Sequence, residues 1–227
     1  MHGINTIVRK VATWPKIKAA ITKNSHIVSF FNSSHYWGGQ LTKVMQAKNI
    51  TRKLKTNMES RFYALILQAI SICKYQPTLS ELCLHDDAQR MTGGLTPVTK
   101  DVVQTIFDVE CWSLTDQLIH ICKPLVDIIG DVEAHDATLA DCMLQLIWAH
   151  HKFIHMKVRD GDDLGFLDHA RTVVKDQFYA VNTDLHWLAL FLHPLCRKLA
   201  ISTATHSHMP IELLLILHVI GICPRFR

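Results

Sequence analysis

The chain has 227 residues, 48% apolar and 19% charged, which excludes a disordered polypeptide and leaves room for a sizeable core. Nine Gly and seven Pro exclude collagen-like and low-complexity architectures, and seven Cys without a CxxC pair exclude zinc-ribbon spacing and an even, dense disulfide framework. The net charge of +4 is unevenly spread: eleven of the 24 basic but only one of the 20 acidic residues, Glu59, lie in residues 1–61, so that stretch carries +10 and the remainder −6.

The first ten residues, MHGINTIVRK, lack an apolar run after a basic start, so no signal peptide is expected. Trp14-Pro15 places proline at a first-turn position of a helix. Trp37-Gly38-Gly39 and Thr92-Gly93-Gly94 read as turns between helices. From Phe62 the apolar positions Leu65, Ile66, Ala69, Ile70 and Cys73 recur at steps of three and four, one face of a helix. Pro77-Thr78-x-x-Glu81 resembles a capping box, and Pro97 is expected to open a helix through Phe107.

The stripe returns in Leu114-Leu118-Ile121-Leu125-Ile128, in Leu139-Met143-Leu146-Ile147-Ile154, and in Leu185-Leu188-Ala189-Leu192-Cys196-Leu199. Pro124 and Pro194 fall inside such stretches and are expected to kink or split them. Asp160 to Gly165 reads as a solvated, turn-rich linker. No run alternates cleanly enough for a strand. The expected fold is all-α, an irregular multi-helix bundle of eight or nine helices. Its expected core includes Phe62, Leu65, Ile66, Leu114, Leu118, Ile121, Leu125, Leu146, Leu188 and Leu192. The longest apolar run, Leu213 to Ile222, is ten residues, well short of the ~20 that a membrane span requires.

Candidate chemistry is sparse. Most cysteines sit among Leu and Ile and read as small buried hydrophobes in a reducing, intracellular setting, nuclear or cytoplasmic. His150-His151-x-x-x-His155 puts two imidazoles at i and i+4, but no third ligand stands nearby, so it reads as a polar helix face, and so does His206-x-His208. The acidic run from Asp160 lacks the Glu that a calcium loop needs at position twelve. GxSxG, Gly-rich phosphate loops and H-E-x-x-H are absent. No catalytic residue, metal ligand or cofactor is therefore nominated. The basic end nominates Lys16, Lys23, Arg52, Lys53 and Lys55 as contacts to DNA phosphates, with Arg61 reserved for a structural role.

Several phrases together resemble the hAT (hobo–Activator type) superfamily of DNA transposases. Phe30-Phe31-Asn32-Ser33-Ser34-His35 is similar to a family helix ending, and Ser60-Arg61-Phe62 stands where Thr-Arg-Trp is common. Trp112 through Leu125 followed by Asp136-Ala-Thr-Leu-Ala-Asp141 is similar to the W…L…L…P-L…A-T-L-A passage. Leu188-Ala189-Leu190-Phe191-Leu192-His193-Pro194 resembles "A-x-x-L-D-P", with His193 where Asp is usual. The likeness spans roughly residues 20–202.

The resemblance implies the helical insertion of a ribonuclease H-like transposase whose α/β core carries an Asp-Asp-Glu metal triad. On that mapping both Asp fall before residue 1 and the Glu beyond residue 227, so no catalytic residue maps onto this chain. It further implies a basic helical arm over 1–56, an insertion-type helical domain over 57–202 and a divergent apolar tail over 203–227. That tail reads as sequence acquired by truncation, frameshift or altered splicing, and as a surface for a protein partner or self-association. The expected function is a transposase-derived, nucleus-favoured segment that binds DNA through its phosphate backbone without catalysis; the alternative is a non-enzymatic protein-interaction scaffold. The purified chain is expected to show no Mg²⁺- or Mn²⁺-dependent DNA nicking in a plasmid relaxation assay, because no trio of carboxylates is available to hold two ions ~3.5–4 Å apart.

Overall fold

The computed structural model describes residues 2–50, 54–56, 62–89, 96–133, 137–181, 184–194 and 196. Among these residues the chain is all-α, with ten helices and no strand: α1 (His2–Val11), α2 (Pro15–Ser33), α3 (His35–Ala47), α4 (Phe62–Cys83), α5 (Asp86–Gln89), α6 (Lys100–Ile106), α7 (Val109–Val132), α8 (Leu139–Ile154), α9 (Leu164–Val181) and α10 (Asp184–Leu192). None of the described helices is long and apolar enough to cross a membrane. The turn expected at Thr92–Gly94, Leu199 and the apolar tail 203–227 lie outside the described residues.

The chain divides into two compact units. One comprises Val8–Val126 with Val158–His169 and the other Met1–Ile7, Asp127–Lys157 and Ala170–Arg227. In the first, α2 packs against α3, α4 and α6, and α4 against α3, α5 and α6. Their shared core joins Ile27, Phe31, Trp37, Met45, Ile72 and Leu79 with Val102 and Ile106. Pro15 opens α2 at its first turn, as the sequence suggested. Ser34 both ends α2 and caps α3, its side chain accepting from the Trp37 N–H. The helix α3 closes in a Schellman motif. Asn49 adopts φ 58°, its N–H donates to Gln46 O, and the Ile50 N–H donates to Met45 O.

Several local signals are overridden here. Gly38 and Gly39 lie inside α3 rather than in a turn, because Gly38 passes so close to α2 that a Cβ would stand 2.4 Å from the Phe31 carbonyl oxygen. The helix α4 runs through Pro77, so Thr78 and Glu81 are mid-helix residues rather than a capping box. Both receive the Lys48 ammonium instead, at 3.2 Å to Thr78 Oγ1 and 2.9 Å to Glu81 Oε2. Pro124 likewise lies within an unbroken α7, and Pro194 falls just after α10. The helix expected from Pro97 begins at Lys100, with Thr99 at its N-cap position.

In the second unit α8 packs against α10. A capping box opens α8: Thr138 Oγ1 accepts from the Asp141 N–H at 3.2 Å, and Asp141 Oδ2 accepts from the Thr138 N–H at 2.8 Å. Burial opposes ionisation of Asp141, but the Thr138 side-chain and backbone donors outweigh it and hold the carboxyl below its ordinary range.

The expected core is met at Ile66, Leu118, Ile121, Leu125 and Leu146, all buried, while Phe62, Leu65 and Leu114 are half-buried. It fails on α10. Leu188 and Leu192 are 50% and 69% exposed, and the buried residue there is Leu190. Truncating Leu125, fully buried, to Ala is therefore expected to cost ~2–5 kcal/mol in urea denaturation. Leu192→Ala should change stability by about 0.5 kcal/mol or less.

Candidate functional site

The nominated cations are distributed by the periodicity of α2. At about 100° per residue, Lys16 and Lys23 share one edge of the helix beside its buried row of Ile17, Ala20, Asn24, Ile27 and Phe31. Lys18 is turned about 200° from Lys16, towards the side opposite that row. This places Lys16 and Lys23 where carboxylates from other helices can reach them.

They do so by one device used twice. Asp108 stands before α7 and Asp163 before α9. Asp108 Oδ1 accepts from the Cys111 N–H at 3.1 Å, a helix N-cap, and its Oδ2 lies 2.6 Å from Lys23 Nζ. Asp163 Oδ1 accepts from the Phe166 N–H at 3.1 Å, again a cap, and its Oδ2 lies 3.1 Å from Lys16 Nζ. The hydrogen bond from Lys23, followed by that from the Cys111 N–H, holds the Asp108 carboxyl below its ordinary value. For Asp163 burial works in the opposite direction, and the Lys16 and Phe166 donors overcome it. Both lysines are correspondingly shifted upwards by their carboxylate partners.

The stretch expected as a solvated linker, Asp160 to Gly165, instead forms with Arg159 a clasp that runs from Arg159 to Asp163. Gly161 takes φ +85°, which favours glycine, and the Arg159 N–H donates to Asp162 Oδ2. Arg159 reaches Asp162 Oδ1 at 3.2 Å and Asp116 Oδ2 at 2.8 Å. The next residue of α7, buried Gln117, clamps the Asp163 backbone: its Nε2 donates to Asp163 O and its Oε1 accepts from the Asp163 N–H, both at 3.0 Å. A buried set joins α2 to α7 as well. Asn24 Nδ2 donates to Thr115 Oγ1 at 2.8 Å, and Thr115 Oγ1 donates to Cys111 O at 2.7 Å.

The other nominated residues fall differently. Lys55 is exposed, its backbone N–H donating to Ser71 Oγ. Arg52, Lys53 and Arg61 lie outside the described residues. Lys18, Lys43 and Lys55 are exposed and make no ion pair among the described residues. Arg9 sits over the Phe62 ring, 5.7 Å from its centroid. The residues missed from sequence are Asp108, Asp116, Asp162, Asp163 and Gln117. The first and fourth carried a usable signal, a short acid one residue ahead of a helix.

Of the described cysteines, Cys83, Cys111, Cys122 and Cys196 are buried and Cys73 and Cys142 half-buried. Burial pushes the Cys73, Cys83 and Cys111 thiols up to about 11, the opposite of an activated nucleophile. Among the described residues no group of three or more His, Cys, Asp and Glu is placed to hold a metal ion. His150 is buried and stacked on Phe178, with ring centroids 4.7 Å apart, whereas His151 and His155 face one another at 4.3 Å.

Comparison with protein-family models, with curated proteins and with solved structures finds no match to this chain.

The double use of Asp108 can be separated by substitution. Asp108→Asn keeps an N-cap acceptor and loses the charge, whereas Asp108→Ala loses both and is expected to cost ~0.5–2 kcal/mol more. Because the folded carboxyl titrates below its unfolded value, its contribution is present above pH ~4 and is lost as pH falls through the folded pKa. Urea midpoints recorded from pH 6 to pH 2 should decline less steeply in Asp108→Asn than in the unmodified chain.

Proposed function

We propose that the chain is a non-catalytic, hAT-transposase-derived helical segment that associates with DNA through phosphate contacts, which would place it in the nucleus. The observation that carries the reading is the charge left over once the internal pairs are made. Lys16, Lys23 and Lys48 are engaged by Asp163, Asp108 and Glu81, while Lys18, Lys43 and Lys55 are exposed and have no carboxylate partner among the described residues. Arg52 and Lys53 adjoin Lys55 in sequence and add to the same excess. Long cationic side chains in a polar connector suit phosphate oxygens, which position a protein without reading bases. The family reading draws on the sequence phrases alone, and the absence of catalysis on the lack of any mapped Asp-Asp-Glu residue.

A second reading, a protein-interaction scaffold, is favoured by a different observation. Leu185, Leu188 and Leu192 form an exposed apolar stripe on α10 at i, i+3 and i+7. Binding to a random-sequence duplex, followed by fluorescence anisotropy against salt, separates the two. With Arg52, Lys53 and Lys55 in contact, log K falls by about 0.9 per contact for each tenfold rise in salt. The triple Ala substitution should then flatten the slope by about three. Lys16→Ala and Lys23→Ala should leave it nearly unchanged, because those ammonium groups are already paired. A slope near zero, or one indifferent to the triple substitution, selects the scaffold.

A further inference from the structure

The end of α8 brings two imidazoles together. His151 lies in its last turn, and His155 is the C-cap residue, whose N–H donates to His151 O at 3.1 Å. The spacing i, i+4 sets both side chains on one helix face, the arrangement by which H-E-x-x-H helices grip zinc. Here the ring centroids are 4.3 Å apart and tilted by 55°. His151 is held within the helix and the His155 N–H is tied back to it, so the two backbones are placed before an ion arrives.

The nearest cation in sequence, Lys152, is drawn onto the Trp148 ring, 4.5 Å from its centroid. His150 is turned into the core against Phe178 and is not part of the pair. Lys152 also stands where a zinc hydrolase helix carries its general-base Glu, so the arrangement provides ligands without a base.

We propose that His151 and His155 form a bidentate surface site for a divalent transition-metal ion of the imidazole-preferring class, Zn²⁺, Ni²⁺ or Cu²⁺. No third described side chain completes the set, so the remaining positions are taken by water and the ion exchanges freely. Zn²⁺ is the probe of choice, because it avoids the redox chemistry of copper.

The test is isothermal titration of the full chain with zinc chloride in a non-chelating buffer at pH 7.5. One saturable Zn²⁺ per chain is expected. His151→Ala and His155→Ala should each weaken it by about tenfold or more, since even loss of a ligand's hydrogen-bond partner costs ~10–100-fold. Both rings lie at the end of a helix and His155 is exposed, so unchanged circular dichroism will show that the fold survives. His206→Ala with His208→Ala, which removes the other closely spaced histidine pair, should leave the affinity within about twofold. The proposal is overturned by the absence of saturable uptake, by uptake that survives both single substitutions, or by uptake lost only when His206 and His208 are replaced.

Discussion

Two aspartates, each serving two helices, tie α2 to the starts of α7 and α9 in the first unit. Asp108 and Asp163 give one carboxylate oxygen to the exposed N–H groups of α7 and α9 and the other to lysines seven residues apart on α2. Either task alone is modest. A cap contributes ~0.5–2 kcal/mol, and an exposed ion pair typically under ~1 kcal/mol. Their combination matters because the carboxylate is oriented by the cap before the lysine arrives, so the pair need not order both partners from a free state. The negative charge also sits at the positive end of each helix macrodipole, which favours ionisation further. α2 is thereby registered against two helix starts, and the buried Asn24–Thr115–Cys111 set can form without leaving a polar atom of that trio unpaired.

The clasp at Arg159–Asp163 follows from the same economy of position. Gln117 is buried, yet its amide is satisfied twice by the Asp163 backbone. A hydrophobic residue at 117 would strand a backbone donor and acceptor against the helix, at ~1–3 kcal/mol for each group left unpaired. Gly161 supplies the positive φ that turns the chain back, and Arg159 spans to Asp116, the neighbour of Gln117 on α7. A short acidic stretch that looks like solvated linker thus becomes the piece that presents Asp163 to Lys16.

Much of the fold was legible because it rests on local periodicity. Pro15 marks the start of α2, and the face Leu118-Ile121-Leu125 is buried as its spacing requires. The failures are places where a tertiary neighbour overrides a local signal. Gly38-Gly39 reads as a turn until α2 is seen to pass against it, leaving no space for a Cβ at 38. Thr78-x-x-Glu81 has the letters of a capping box, but mid-helix those groups serve Lys48, whereas Thr138-x-x-Asp141 has the same logic and does cap. On α10 nearly every residue is apolar, so periodicity cannot choose a face; packing against α8 buries Leu190 and leaves Leu188 and Leu192 outside.

The candidate site was less legible because charge was counted along the chain, while neutralisation happens across it. Eleven cations against Glu59 suggested that the basic stretch must face solvent or a polyanion. A third outcome was available: carboxylates distant in sequence, such as Asp108 eighty-five residues from Lys23, can close on part of it. This bears on which cations a phosphate could use. Taking Lys23 from Asp108 would gain one charge-assisted hydrogen bond and lose another, while bringing a phosphate beside a carboxylate that remains bound to its cap. The like-charge repulsion makes that exchange unfavourable, and the same holds for Lys16 beside Asp163. Lys18 faces no such competition, since it is rotated away from both acids on the same helix. The capacity for a polyanion is therefore decided by helical phase as much as by charge number: residues at the edge of the buried row of α2 are committed to the fold, and those opposite it remain available.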